Sequence, residues 1–200
     1  MSLETIVAVF RQPREEMHSL FYSDSRKQRY LIISLFGLAL SFDIAVGLHL
    51  GDQLDLWTIL GICLVIGPLL GILYSFILSG FIHLCSKIFG GQADWDQSQK
   101  IIVYSSLIYS LKNLVVLVKL LFFREETFAS TTYIANSGIL FTTMFIFLLL
   151  MEVLLLIYYY VTLVVFVSES NDLSIAISLL TVVLVMLLIT LPFVLFNLLT

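Results

Sequence analysis

The sequence predicts an all-α membrane protein, a polytopic bundle of five transmembrane helices preceded by an interfacial amphipathic N-terminal segment. Of the 200 residues, 60 % are hydrophobic and only 12 % are charged, whereas soluble domains have about 45–50 % apolar and about 25 % charged residues. The mean hydropathy is +1.06, and the apolar residues form five long stretches. These values exclude a soluble globular domain, and an aromatic content of 14 % excludes a disordered chain.

Each apolar stretch is long enough to cross a bilayer, because a transmembrane helix needs about 20 apolar residues. The predicted spans are residues 30–50, 57–89, 101–123, 138–168 and 173–199. The second and fourth are too long for one hydrocarbon core and too short for two spans and a turn. We therefore predict one tilted or projecting helix for each. A re-entrant break at Gly67–Pro68 is the alternative for the second span, since proline interrupts helices.

The basic residues favour a cytoplasmic N-terminus. Cytoplasmic loops of membrane proteins carry an excess of Lys and Arg, and in this orientation seven basic residues lie inside and only Arg124 lies in an outside loop. The seven are Arg11, Arg14, Arg26, Lys27, Arg29, Lys87 and Lys100. We expect residues 1–29 at the cytoplasmic face, residues 30–200 as one five-span domain, and the C-terminus outside.

Residues 1–29 have the pattern of an amphipathic segment at the membrane surface. Two apolar groups at near-helical spacing meet at Pro13, and proline suits the first position of a helix. We expect two short helices here, with their apolar faces among the lipid headgroups. The segment is either an anchor and topology signal or a docking element for a partner. The basic cluster Arg26, Lys27 and Arg29 is expected to hold anionic headgroups.

Small residues recur at every fourth position of the second span. Gly67, Gly71, Ser75 and Ser79 have the spacing that lets a neighbouring helix backbone come close. This stripe indicates either packing within one subunit or an interface of a homo-oligomer.

Four polar side chains lie deep in the predicted spans, namely Asp43, Lys112, Asn113 and Glu152. A charge at the bilayer centre costs about 2.5–3.5 kcal/mol on insertion scales, so these charges are expected to be paired or to face a polar interior. Lys112 lies at the midpoint of span three and Glu152 lies within one residue of the midpoint of span four, which predicts an ion pair between them. Asp43 is expected to bond a Tyr or Ser of another span. Lys119 lies near the outer end of its span, where it can snorkel to the surface.

Span three is the most polar of the five and is expected to face the interior of the bundle. The intramembrane charges have two interpretations. They either cross-link the helices or line a pathway for a proton, an ion or a small solute.

Other chemistry is sparse in this sequence. It has no nucleophile-and-base set at plausible spacing, so we do not expect an enzyme. His18 and His49 are too isolated for a metal site, and neither a metal nor a cofactor is expected. The net charge of −4 is thinly spread and is not that of a nucleic-acid binder. The expected partners are membrane lipids, a second copy of the chain, or a protein at the cytoplasmic face.

Two short motifs carry a family resemblance. The first begins at Phe10 and includes Pro13, in the order Phe-Arg-Gln-Pro-Arg-Glu-Glu. The second is an apolar run that contains His83 and ends in Gly90 and Gly91, where we expect the helix to stop at a left-handed glycine. Both motifs, together with the five-span pattern, resemble the Yip family, small membrane proteins named for interaction with Ypt/Rab GTPases.

The resemblance implies a non-catalytic membrane organiser or adaptor that binds partner proteins or lipids in a prokaryotic cytoplasmic membrane. Eukaryotic trafficking members have a long cytosolic N-terminal region, whereas this chain has only residues 1–29 there, so GTPase binding is not carried over. The alternative is a small oligomeric transporter or channel that uses Asp43, Lys112 and Glu152.

Overall fold

The fold is all-α, as predicted. The computed structural model describes residues 13–22, 25–130 and 138–199. It is 88 % helical, and the residues it describes include no strand. The helices are α1 Pro13–Tyr22, α2 Arg26–Gly47, α3 Leu56–Ile88, α4 Trp95–Ser110, α5 Lys112–Phe123, α6 Ile139–Asn171 and α7 Ile175–Leu199. Two short 3₁₀ helices, Leu50–Asp52 and Arg124–Phe128, follow α2 and α5.

Within the described ranges, four helical segments are long and apolar enough to cross a membrane: α2, α3, α4 together with α5, and α6. A shorter apolar helix, Ile175–Leu191, comes from α7. The two overlong predicted spans are single helices of 33 residues each. The alternative of a break at Gly67–Pro68 is wrong, because Pro68 lies inside continuous α3. Membrane helices tolerate such a proline when neighbouring groups satisfy the freed carbonyl.

The third predicted span is divided into α4 and α5 by a turn at Leu111. Around this turn the hydrogen bonds shorten to a three-residue spacing, with Leu111 N donating to Ile108 O and Leu114 N donating to Leu111 O. In the most apolar stretch of Trp95–Phe123, 72 % of the residues are buried, whereas the share in the corresponding stretch of α6 is 6 %. The prediction that this span faces the interior is therefore confirmed.

The chain forms two compact units. Unit 1 comprises residues 1–28, 75–105 and 160–200, and unit 2 comprises residues 29–74 and 106–159. Unit 1 contains α1 and the α3–α4 and α6–α7 turns, and Gln92 N of the first turn donates to Asn171 O of the second at 3.3 Å. Unit 2 contains the α2–α3 turn and the segment after α5, where Ser130 N donates to Asp52 Oδ1 at 3.1 Å.

Helix α1 begins at Pro13, as predicted. Phe10 and the helix expected before Pro13 lie outside the described residues. In α1 the apolar residues Met17 and Leu20 are only 2 % and 3 % exposed, so these two side chains do not enter the headgroups as expected. The ring of Phe21 lies 5.9 Å from that of Tyr104 in α4, and α1 thus packs on protein. Close packing inside a protein gives more dispersion contacts than the loosely ordered headgroup region.

Candidate functional site

A buried ionic cluster joins α2 to the junction of α4 and α5 in unit 2. Lys112, the first residue of α5, donates from Nζ to both carboxylate oxygens of Asp43 in α2, at 2.6 and 2.7 Å. The hydroxyl of Tyr109 donates to the same carboxylate. Lys112 Nζ also lies 4.8 Å from the centre of the Tyr109 ring. The turn at Leu111 places Tyr109 and Lys112 on the same carboxylate, so the cluster neutralises two intramembrane charges at once.

Aromatic side chains of unit 2 pack against the Tyr109 side of this cluster. The ring of Phe36 lies 5.3 Å from Tyr109 and 5.9 Å from Tyr74, and the ring of Tyr159 lies 5.5 Å from Tyr109. These rings cover the Tyr109 and Lys112 side of the cluster, whereas the Asp43 side chain is 36 % exposed. The cluster is a cross-link between α2 and the α4–α5 junction.

A second ion pair joins α5 to α6. Lys119 Nζ donates to Glu152 Oε2 at 2.7 Å, and the two side chains are 7 % and 17 % exposed. Lys119 Nζ also lies 5.2 Å from the centre of the Phe145 ring. Lys119 therefore does not snorkel outward, and that expectation is wrong.

The predicted Lys112–Glu152 pair is wrong as well. Each residue has another partner, Asp43 for Lys112 and Lys119 for Glu152. The two lysines are seven residues apart, which is about 10.5 Å along a helix. Matching the midpoints of two spans assumes that the two helices are level with each other, whereas in the structure Glu152 of α6 lies beside Lys119 of α5. An error of two helix turns in the relative depth of α5 and α6 is enough to make Lys112, rather than Lys119, the predicted partner of Glu152.

Asn113 adds a neutral contact between the same helices. Its Nδ2 donates to the carbonyl of Leu35 in α2 at 2.8 Å. Its Oδ1 is buried and has no hydrogen-bond partner among the residues that the structure describes. The amide thus reinforces the contact of α5 with α2 along a different turn from Asp43.

The backbones of α2 and α3 touch at glycines. A Cβ atom on Gly37 would lie 2.0 Å from Gly67 O, and one on Gly71 would lie 2.2 Å from Ile33 O. Both distances are too short for any side chain. Gly67 and Gly71 of the small-residue stripe are therefore used for packing within the subunit.

The rest of the stripe lies in unit 1 and is also buried. Ser75 and Ser79 are 7 % and 1 % exposed, and Ser79 Oγ donates to Ser75 O at 2.6 Å. His83 Nδ1 lies 3.3 Å from Ser98 Oγ, and that hydroxyl donates its hydrogen to Asp94 O. The hydroxyl is then free only to accept, so His83 donates from Nδ1. The role of His83 in this arrangement is a hydrogen bond between α3 and α4.

The Gly90–Gly91 motif closes α3 and contacts the end of α6. Helix α3 ends at Ile88, and Gly90 follows with φ +83°, the left-handed conformation that was expected. Gly91 N donates to Ser86 O at 2.8 Å. A Cβ atom on Gly91 would lie 2.5 Å from Asn171 Oδ1. The second glycine is thus required by a close contact with Asn171, not by its backbone angles.

The described part of the chain holds no cluster of three or more His, Cys, Asp or Glu side chains that could bind a metal ion. Unit 2 holds two ion pairs between helices, Asp43 with Lys112 and Lys119 with Glu152. In unit 1, the turn after α3 is hydrogen-bonded to the end of α6. The fold and these contacts define an all-α membrane protein with intramembrane ion pairs formed inside one chain.

The comparisons identify the family. The model of the Yip1 domain matches residues 7–196, which is almost the whole chain. The chain therefore belongs to the Yip family, whose members are generally non-enzymatic membrane proteins. No curated protein and no solved structure matches it.

The expectation that Asp43 bonds a Tyr or Ser of another span is confirmed by Tyr109. Sequence reasoning did not name Tyr109 as that partner, and it missed Lys119 and Gly37. Lys119 and Tyr109 lie seven residues after and three residues before Lys112, and both spacings place them on the same helix face as Lys112. That spacing was the available signal. Gly37 had no comparable signal, because its role depends on where α3 crosses α2.

Proposed function

We propose that this protein is a non-catalytic membrane organiser or adaptor of the Yip type, which binds partner proteins or lipids. The pairing of both α5 lysines within the chain carries the proposal, with Lys112 on Asp43 and Lys119 on Glu152. Buried pairs gain little net stability after desolvation, and fixing a unique arrangement of helices is the role best attested for them. Here they tie α2, α5 and α6 together, which supports a rigid scaffold.

The proposed partner surface is the cytoplasmic face formed around α1. Met17 and Leu20 fix α1 against unit 1, whereas Tyr22 is 97 % exposed and Arg26 and Lys27 are exposed at the start of α2. A fixed helix with exposed aromatic and basic side chains supports contact with lipid headgroups or with a protein. Self-association of the chain is a third form that the organiser can take.

We place the protein in a prokaryotic cytoplasmic membrane with the N-terminus inside and the C-terminus outside. The excess of Lys and Arg on one side of the predicted spans supports this orientation. The grouping of α1 with the α3–α4 and α6–α7 turns in unit 1 supports the alternation of span direction that the orientation assumes.

Ion flux in proteoliposomes tests the proposal. The purified chain is expected to give no flux of Na⁺, K⁺ or H⁺ above that of empty liposomes, and a folded Glu152→Gln variant serves as the control. Wild-type flux that the variant lacks would contradict the proposal.

A crosslinking experiment in cells tests the organiser directly. A photocrosslinking residue at Tyr22 is expected to yield one reproducible protein or lipid adduct. The same residue at Trp57, which is 79 % exposed in the first turn of α3, is the matched control. Identical adducts from both positions would indicate contact by chance.

One observation favours the alternative of a small oligomeric transporter. The side chain of Asp43 is 36 % exposed although Lys112 beside it is 9 % exposed. The carboxylate of Asp43 is therefore the part of the cluster that is open to the outside of the chain. In that case flux would depend on Asp43 and Lys112, and a folded Asp43→Asn variant added to the proteoliposome experiment distinguishes the two functions.

A further inference from the structure

Helix α1 lies across two other helices of unit 1. The ring of Phe21 lies 5.9 Å from that of Tyr104 in α4 and 6.4 Å from that of Phe166 in α6. Met17 and Leu20 are buried on the same face of α1, because residues three and four apart in a helix are neighbours. The surface under α1, which we call the α1 seat, is therefore an apolar groove between α4 and α6 that holds an amphipathic helix.

The α1 seat also recognises a positive charge. Arg14 Nε donates to Glu169 Oε1 near the end of α6, and Arg14 lies three residues before Met17 on the same face. Ser170 Oγ donates to the sulfur of Met17 at 3.6 Å. The seat thus accepts a defined pattern, which is a cation followed by apolar residues three, six and seven positions later.

The attachment of α1 is weak at its start. Helix α1 has 10 residues, and helices shorter than about 12–15 residues are marginal in water, so α1 depends on its seat. The side chains of Arg14 and Glu169 are 65 % and 20 % exposed, and exposed ion pairs contribute little stability. A cleft of about 140 Å³ with an almost entirely apolar lining lies beside Arg14. Close packing of α1 is therefore concentrated in its second half.

We propose that α1 is a displaceable strap, which closes the α1 seat until an amphipathic helix of a partner protein with the same pattern takes its place. Anchors three and four residues apart are the usual means by which a helix binds in a groove. The inference deepens the proposed function by naming the class of partner, and it rests on the protein-binding form of that function.

The short connection to α2 makes the strap selective. Only residues 23–25 join α1 to α2, so a displaced α1 stays close to its seat and competes at a high effective concentration. A partner helix has to bind more tightly than the tethered α1. A second copy of the chain gains nothing by exchanging α1, because each copy already has an identical tethered helix. The occupant is therefore a helix of a different protein.

Binding of a fluorescent peptide of residues 12–22 to the purified full chain tests the strap. Leu20→Asp places a carboxylate at a position that is 3 % exposed and is expected to drive α1 from its seat, because burying an unpaired charge is costly. This variant is expected to bind the peptide about tenfold more tightly than the wild type, since an occupied seat lowers the apparent affinity.

Tyr22→Asp is the matched control for the opened strap. It adds the same charge to the same helix at a position that is 97 % exposed, and it is expected to bind the peptide as the wild type does. Equal binding of the peptide by Leu20→Asp and Tyr22→Asp would overturn the strap.

A charge reversal tests whether the α1 seat recognises the cation of the pattern. Glu169→Arg in the Leu20→Asp chain is expected to weaken binding of the native peptide about threefold, as for a partly exposed ion pair. A peptide with Arg14→Glu is expected to bind this chain more tightly than the native peptide does. The opposite order of the two peptides would overturn the pattern.

Thiol labelling gives a second measurement that does not depend on an opened variant. The thiol of Met17→Cys, at a position that is 2 % exposed, is expected to react slowly with a maleimide and faster with saturating peptide. The thiol of Tyr22→Cys is expected to react fast in both conditions. A rate at Met17→Cys that the peptide leaves unchanged would overturn displacement. A wild-type dimer that Leu20→Asp makes monomeric would overturn the partner helix in favour of exchange between copies.

The failure of this inference differs from the failure of the proposed function. Peptide binding as expected by a chain that also conducts ions would overturn only the organiser. A chain that conducts nothing and gives the expected adduct at Tyr22, but does not bind the peptide when its strap is opened, would overturn only the strap.

Discussion

Double-mutant cycles on Glu152 distinguish the pairing in the structure from the pairing that span midpoints suggest. The first cycle combines Glu152→Gln with Lys119→Met, and the second combines Glu152→Gln with Lys112→Met. In the structure Glu152 Oε2 is bonded to Lys119 Nζ at 2.7 Å, whereas Lys112 is bonded to Asp43. Only the first cycle is therefore expected to show coupling.

The expected size follows from the geometry of the pair. Unit charges 2.7 Å apart attract by about 6 kcal/mol at an effective dielectric of about 20, and desolvation offsets much of this attraction. Removing one partner leaves the other charge buried alone, which costs about 3–5 kcal/mol. The double variant loses little more than either single variant, so the coupling energy is expected to approach the loss from one single variant, about 3 kcal/mol.

The second cycle is expected to be additive within about 0.5 kcal/mol, as for sites without a shared partner. Lys112→Met alone still destabilises, because it leaves the Asp43 carboxylate with the Tyr109 hydroxyl only.

Reversible unfolding of the purified variants in mixed micelles of SDS and a mild detergent, followed by circular dichroism, measures these energies. Each variant is first checked for native helix content, so that only folded proteins enter the cycle. Coupling of Glu152 to Lys112 that equals or exceeds its coupling to Lys119 would refute the pairing. Additivity in both cycles would refute the claim that the ion pair holds α5 to α6.

Three further predictions use the same unfolding measurement. Gly71→Ala is expected to cost about 1–3 kcal/mol, since its Cβ would lie 2.2 Å from a backbone oxygen of α2. Gly61→Ala in the same helix has open space around its Cβ and is expected to cost no stability. Equal losses of stability in Gly71→Ala and Gly61→Ala would contradict the close contact between α2 and α3. Gly91→Ala is expected to destabilise through the contact with Asn171 Oδ1 at 2.5 Å, and Asn171→Ala in that background should restore part of the loss. Asp55 accepts hydrogen bonds from Thr58 that lower its pKa below the ordinary 3.8. A carboxyl with a lowered folded pKa stabilises at higher pH, and this stability is lost as the pH falls through its folded pKa. Asp55→Asn should therefore reduce the loss of stability as the pH falls below about 4. An unchanged loss would contradict a stabilising role for the hydrogen bonds from Thr58.

The sequence by itself determined the class of protein and most of its helices. Spans of continuous apolar residues have one solution in a bilayer, because each backbone polar group must be bonded within its own helix. For that reason α3 and α6 were predicted as single helices. The motifs that carry the family resemblance could also be found in the sequence without a structure. Pro13 and Gly90 were also predicted at a helix start and a helix end, because their backbone preferences act locally.

Only the tertiary structure decided which polar groups meet. The choice between Lys112 and Lys119 as the partner of Glu152 depends on the axial shift of α6 against α5, and apolar periodicity does not encode such a shift. Gly37 and Gly91 are likewise ordinary glycines until Gly67 and Asn171 approach them. The physical reason is the same in each case. Local preferences and hydrophobicity act along one helix, whereas an ion pair or a backbone contact depends on the position of one helix relative to another to within a single turn.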